Sequence, residues 1–199
     1  MPFLPSLPEK ANLSDVFKAF PRGFKPLMEF HDEALRGPSP LTIGERELIA
    51  AYVSGLNKCQ FCYNAHTTYA IFYGLDEGVF EPLMADIATA PVDEKIKPIL
   101  AFARKTTLDQ HTVSKADIDA ILAAGWPEEA VNDAALVVSL FNYMNRIIHT
   151  MGVAPFDEDY AARKKAILKK PKDARLAQNE KDIGKAHYVN YGKSLGLID

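Results

Sequence analysis

The segment "SGLNKCQFCYNAH", Ser54 to His66, holds the only two cysteines of the chain, Cys59 and Cys62, three residues apart, with His66 four residues further on. Three chemistries are open to such a set. Two neighbouring thiols can cycle between dithiol and disulfide, an activated thiolate can attack an electrophile, and two cysteines with one histidine are three of the four ligands a structural zinc takes. On a helix turning about 100° per residue, Cys59 and His66 lie within roughly 20° of each other and Cys62 about 60° to one side. Residues i and i+3 have β-carbons about 5–6 Å apart, so the two sulfurs need only a modest adjustment to bond.

Position sharpens the redox reading. At a helix start, with Asn57 a candidate cap, the unpaired amides and the positive end of the dipole favour a thiolate, and an adjacent imidazolium favours it further. Zinc fits less well, because no second C-x-x-C or H-x-x-x-H closes a tetrahedral site and His111, His149 and His187 would have to be brought in by the fold. A small buried hydrophobe is the third reading of a cysteine; it suits a lone residue better than a pair with a histidine on the same face.

The elements that must position these residues read as helices throughout. Thr42 and Glu45 in "TIGE" form a capping box opening a helix to about Leu56, with Ile49, Tyr52, Val53 and Leu56 as its buried stripe. The cysteine helix follows after a connection at Leu56–Lys58 and stops at Gly74. Other helices are read at 14–21, 25–36, 76–84, 93–106, 114–124, from Pro127 to just before Gly152, 157–168 and 174–185. The helix after Pro127 is apolar nearly all round from Val131 to Met144 and is expected to be central. Asn142, Asn145, Arg146 and His149 interrupt it as a polar stripe suited to interhelix or subunit contacts, Asn142 and Asn145 also to the cysteine pocket. Tyr63, Tyr69, Phe72 and Tyr73 read as core or interface aromatics. No run alternates apolar and polar between hairpin turns, so no sheet is expected.

With 199 residues the chain fits a single all-α domain, 1–199, that can bury a core without cross-links. The core is expected over about 25–155, the cysteine hairpin over about 42–74, and 156–199 as a polar, lysine-rich C-terminal helical extension that frays or packs on a neighbouring subunit. A net charge of −3, its 23 basic and 26 acidic residues intermixed, provides no basic stripe for nucleic acid or an anionic membrane surface. "MPFLPSLPEK" does not read as a secretory signal, and no apolar run is long enough to span a bilayer. A cytoplasmic protein is the expectation, and there a cysteine pair is catalytic, redox-sensing or metal-binding more often than a permanent cross-link.

Taken together, "ERELIAAYVSGLNKCQFCYNAHTTYA", with Glu47 twelve residues before Cys59 and then C-x-x-C-x-x-x-H, resembles the core of the alkylhydroperoxidase D-like, carboxymuconolactone decarboxylase superfamily. "FNYMNRIIHTMGV" is similar to a second segment of its uncharacterised peroxidase-related members. The resemblance implies an all-helical bundle, an obligate homo-oligomer (a dimer or a multiple of three), and reduction of a hydroperoxide by a cysteine pair without metal or organic cofactor. By that similarity Cys62 attacks the peroxide, Cys59 resolves the sulfenic acid, His66 and Glu47 relay protons, and a dithiol partner restores the thiols. The best-known peroxidase of the family has a histidine directly before the second cysteine where this chain has Phe61, which implies slow turnover with simple alkyl hydroperoxides. The alternatives are a non-redox member, of the lactone decarboxylase type or a structural oligomer, and a zinc-binding interaction module. If the resemblance holds, the short Leu56–Lys58 connection makes an antiparallel hairpin in which Glu47 reaches toward His66 or Cys59.

Overall fold

The computed structural model describes residues 2–154 and 157–199, and among these every regular element is a helix. In chain order they are α1 (Leu13–Ala19), α2 (Phe24–Arg36), α3 (Ile43–Leu56), α4 (Gln60–Phe72), α5 (Phe80–Ala85), α6 (Lys97–Leu108), α7 (Lys115–Ala123), α8 (Glu128–Met151), α9 (Asp157–Leu168), α10 (Lys172–Leu176), α11 (Gln178–Asp182) and α12 (His187–Ser194). No helix of the described residues is long and apolar enough to cross a membrane.

The centre of the bundle is α3. Its capping box is formed in full, Glu45 N–H donating to Thr42 Oγ1 at 3.1 Å and Thr42 N–H to Glu45 Oε2 at 2.8 Å, so two orphan donors of the first turn are satisfied. From Ile43 to Ser54 all but one residue is buried, and α4, α6 and α8 pack around it. The expectation that α8 is the central helix is therefore corrected. Its buried positions, Ala130, Ala134, Val137, Val138, Leu140, Phe141, Met144, Asn145 and Ile148, form one stripe, while Ser139 and Tyr143 are exposed and Val131, Ala135 and Leu136 are half-buried.

Between α3 and α4 the chain reverses in three residues. Lys58 takes a left-handed conformation, φ 56°, and Cys59 N–H closes the turn on Ser54 O at 2.9 Å. Cys59 is the N-cap of α4, not a member of its first turn. Asn57 does not cap α4 either: it ends α3, and its side-chain amide donates to Asn145 Oδ1 at 2.9 Å and Asn142 Oδ1 at 3.1 Å on α8.

The C-terminal extension packs on its own chain, where fraying or a neighbouring subunit is expected from composition. The segment expected as one helix at 174–185 is two short ones, α10 and α11, and α12 is a further helix that the polar composition hides. What holds them is polar. Arg175 Nη1 donates to Ile71 O at 2.5 Å, and Asn179 donates to Tyr73 O and accepts from Gly44 N–H, both at 2.9 Å. Asn179 thereby satisfies the Tyr73 carbonyl just past α4 and a free amide at the start of α3, and Arg175 adds a second donor to the Ile71 carbonyl, which already accepts from Gly74 N–H. Asp32 on α2 caps α12 from outside, accepting from Tyr188 N–H at 2.8 Å and Val189 N–H at 2.9 Å. The core accordingly reaches beyond the expected limits, taking in Phe17 and Ile198. The expected boundary between core and extension, at 155–156, lies outside the described residues.

Asn179 is buried, whereas Glu180 beside it is exposed. Asn179→Ala leaves a buried amide and a carbonyl unpaired and is expected to cost about 1–3 kcal/mol in urea denaturation. Glu180→Ala should stay within about 0.5 kcal/mol of the parent. Equal effects of the two would mean that the extension does not clamp the hairpin.

Candidate active site

Glu47 occupies the second turn of α3 with no exposed surface. A carboxylate there must find charge partners or give up its charge. It has two. Arg36 Nη2, from the last turn of α2, lies 2.7 Å from Oε1, and His66 Nδ1, from the second turn of α4, lies 2.6 Å from Oε2. Burial pushes the Glu47 carboxyl upward, but the charges of Arg36 and then His66 outweigh it and hold the group below its ordinary range. Arg36 is drawn down by burial as well, and the Glu47 charge leaves it above its ordinary value. The row Arg36–Glu47–His66 is therefore a buried chain of an ion pair and a hydrogen bond that fixes the imidazole by its Nδ1 and leaves Nε2 outside the row.

Phe141 of α8 packs edge-on against His66, with ring centroids 4.2 Å apart, and limits the rotation of the imidazole. Arg36 is held in turn. Its Nη1 donates to Leu35 O at 2.9 Å, its guanidinium lies over the rings of Tyr73 at 5.1 Å and Tyr188 at 5.5 Å, and its carbonyl accepts from Gly184 N–H at 2.6 Å. The last two contacts come from the C-terminal extension.

Cys62 sits one helical turn before His66 and Cys59 at the N-cap of the same helix, both buried, at 1 % exposure for Cys59 and 4 % for Cys62. They are hydrogen-bonded to each other, and this divides them. Cys59 is held below the ordinary thiol range, chiefly by the Cys62 thiol, with help from the Cys62 amide and the Asn145 side chain and against its own burial. Cys62 is pushed well above that range by the same bond, by burial and by the charge Cys59 carries when ionised. Asn145 is itself held from two sides, its Nδ2 donating to Ser54 Oγ at 3.1 Å and its Oδ1 accepting from Asn57.

A cavity of about 540 Å³ opens onto the site. Cys62 and His66 line it, and Cys59 does not. Access and acidity thus fall on different sulfurs. Among the described residues no three His, Cys, Asp or Glu side chains converge to hold a metal ion, so the zinc reading finds no ligand set there.

Of the residues the sequence singles out, the structure brings Glu47 to His66 and sets Cys59 beside Cys62, but the polar stripe of α8 divides. Asn142 and Asn145 turn inward, while Arg146 is exposed and folds back on Asn142 O, and His149 is exposed. Of the four aromatics, Tyr73 is buried and donates to Asp182 Oδ2 at 3.0 Å, whereas Tyr69 lines the cavity. Sequence reasoning misses Arg36 and His31. His31 is 4 % exposed, its Nδ1–H donates to Leu27 O at 2.8 Å, its ring lies 4.8 Å from that of Tyr188, and it lines the cavity. Burial lowers its pKa to about 4, so it is a neutral imidazole near pH 7. The available signal is that both belong to the inner face of the helical pattern at 25–36, where a charged or titratable residue needs a partner.

Comparison with known proteins agrees with this architecture. Residues 21–105 match the model of the carboxymuconolactone decarboxylase family. No curated protein matches the sequence significantly. Two solved structures share the fold, each with a TM-score of 0.68 over 73 % of this chain and 76 % of theirs: an alkylhydroperoxidase AhpD core, uncharacterised peroxidase-related protein of Ralstonia eutropha JMP134 at 28 % identity, and an uncharacterised peroxidase-related protein of Silicibacter sp. TM1040 at 27 %. The matched segment contains Arg36, Glu47, Cys59, Cys62 and His66; over residues 21–105 the chain is similar to the carboxymuconolactone decarboxylase family, and its helices share the fold of the alkylhydroperoxidase AhpD-like structures.

Proposed function

We propose that the protein is a thiol-dependent peroxidase in which Cys62 reduces a hydroperoxide and Cys59 closes a disulfide with it. The observation that carries this reading is the pairing of two hydrogen-bonded thiols with a histidine whose other nitrogen is tied to a buried carboxylate, on a cavity that reaches only one of the thiols. A decarboxylase has no use for a thiol pair polarised in this way.

The proton inventory closes. The singly ionised pair is the reacting form, and in it the proton favours Cys62 over Cys59. Transfer of that proton from Cys62 to Cys59 makes the accessible sulfur the nucleophile. Cys62 then attacks the terminal peroxide oxygen, the O–O bond breaks, and the leaving alkoxide takes a proton from the His66 imidazolium, so that a sulfenic acid and an alcohol are formed. Attack of Cys59 on that sulfenic acid releases water and forms the disulfide, and an external dithiol returns both cysteines to thiols by exchange. Glu47 and Arg36 touch no reacting atom; they keep Nδ1 of His66 occupied and the ring oriented. We further propose a homo-oligomer, a dimer or a multiple of three, supported by the exposed Tyr143 on α8.

Three outcomes are expected. By ultraviolet thiolate absorbance, one thiol should ionise below the ordinary range of about 8.5 and the other well above it. Cys62→Ala removes the donor that stabilises the Cys59 thiolate, so the remaining pKa should rise; Cys59→Ala removes both the bond and the charge that hold up Cys62, so there the remaining pKa should fall. A pair that titrates together, unmoved by either substitution, contradicts the shared proton.

With a stoichiometric hydroperoxide, Cys59→Ser should trap a sulfenic acid on Cys62, visible by mass spectrometry after capture with a dione. Cys62→Ser should consume no peroxide faster than a free thiol does. Peroxide consumption that survives in Cys62→Ser would assign the attack to Cys59 and overturn the order.

His66→Ala removes the proton donor for the leaving alkoxide. The oxidation rate at neutral pH should fall by about 10²-fold, the usual scale for a positioned acid. Arg36→Met should act through His66, shifting the pH profile of oxidation; if the profile is unmoved while the rate falls, Arg36 serves stability alone.

A further inference from the structure

We propose that the C-terminal extension, residues 157–199, forms one wall of the substrate chamber at Cys62 and selects bulky, aromatic-faced organic hydroperoxides over hydrogen peroxide; this rests on the peroxidase reading above. Size is the first reason. The cavity of about 540 Å³ falls within the roughly 300–1,000 Å³ typical of sites for drug-sized ligands. Hydrogen peroxide is scarcely larger than water, whose share of liquid volume is about 30 Å³, and would leave most of that space unused.

The lining is the second reason. The bundle contributes Phe17, Phe61 and Phe141, and the extension contributes Tyr160 from α9 with Tyr188 and Tyr191 from α12. Tyr160 stands edge-on to Phe61 with ring centroids 6.1 Å apart, beside Cys62 in sequence and in space, since the Cys62 charge is among those felt by the Tyr160 phenol. Tyr191 hydrogen-bonds to Ser14 at the start of α1, so the two ends of the chain meet at the mouth. Aromatic rings arranged in this way present edges and faces to a ring or a branched apolar body, and their hydroxyls can meet its polar atoms. A second cavity of about 600 Å³ shares Ala65, Tyr69, Tyr160, Arg163 and His187 with the first and continues along α4 and α9 past Phe72 and Ile167. Residues 157–199 lie outside the matched family segment, 21–105, so this wall belongs to the chain and not to the shared segment.

The reaction is the one balanced above, with the bulky alcohol as product. Because that alcohol fits the chamber without reacting, it separates binding from redox chemistry. The test measures binding of cumyl alcohol to the full chain by saturation-transfer NMR and calorimetry, together with the rates of cysteine oxidation by cumene hydroperoxide and by hydrogen peroxide, in the parent, Tyr160→Ala and Tyr191→Ala. Both positions retain solvent contact, and circular dichroism reports whether each variant folds.

The parent should bind cumyl alcohol and oxidise faster with cumene hydroperoxide. Each variant should lower both the alcohol affinity and the ratio of the two rates by about tenfold, the effect of one good aromatic contact. Binding by the parent that depends on Tyr160, with cysteines inert to every peroxide, would support the chamber and overturn the peroxidase reading. No binding by the parent, or variants in which both rates fall in parallel with affinity unchanged, would overturn the chamber. If one variant fails to fold, the other carries the same comparison.

Discussion

A carboxylate with no access to water must be compensated within the protein, and Glu47 sets that requirement at the centre of this bundle. Bringing it from water into the interior costs several kcal/mol even after relaxation, and breaking such a pair by removing one partner typically costs about 3–5 kcal/mol. Arg36 and His66 meet the cost from two helices that flank α3. The sign of the linkage follows from the lowered Glu47 pKa: its contribution is present above the ordinary carboxylate range, near 4.3, and is lost as pH falls through the lower folded value. The same ion pair that holds α2 to α3 also orients the imidazole, so stability and chemistry at this site draw on one interaction.

Arg36 needs support of its own, because a single carboxylate leaves part of the guanidinium unsatisfied, and its Nε has no hydrogen-bond partner among the described residues. Aromatic faces supply part of it, Tyr73 from α4 and Tyr188 from α12. Tyr73 is held by Asp182, and Tyr188 by Asp32, which caps its helix. Each of these partners comes from a different part of the chain. The extension is thereby built into the ionic centre, although its composition is that of a solvated appendage.

This division explains what can be read from the sequence. The helices are legible because their ends are locally encoded: Thr42 and Glu45 open α3, Ser114 opens α7, and Gly125 and Gly152 adopt left-handed conformations just past the ends of α7 and α8. The Cys62 and His66 face is legible because one helix carries it, with Cys59 at that helix's N-cap. Arg36 is not, because its relation to Glu47 depends on how α2 crosses α3 after the "GPSP" loop, and no local spacing encodes that. Helix α12 is hidden for a similar reason: its first amides are capped by Asp32, more than 150 residues earlier in the chain. Asn57 misleads because an asparagine before a helix resembles a cap, whereas the amides of Asn142 and Asn145 make a better-buried destination. The apolar pattern of α8 shows that its surface is greasy but not which side its own chain covers.

The two sulfurs illustrate how a small site can separate reachability from acidity. A fully exposed thiolate is open to any oxidant, and a buried thiol is inert. Here the sulfur with the lowered pKa, Cys59, is screened from the cavity, and the sulfur on the cavity, Cys62, holds its proton more tightly. On the proposed mechanism, a single proton shift across their hydrogen bond exchanges those roles only when a hydroperoxide occupies the place next to Cys62 and His66. In this chain Phe61 fills the position between the cysteines with a ring that cannot carry a proton, and it packs against Tyr160 instead. Proton movement is then left to the thiol pair and His66, while the residue between the cysteines joins the aromatic wall that shapes what can approach them.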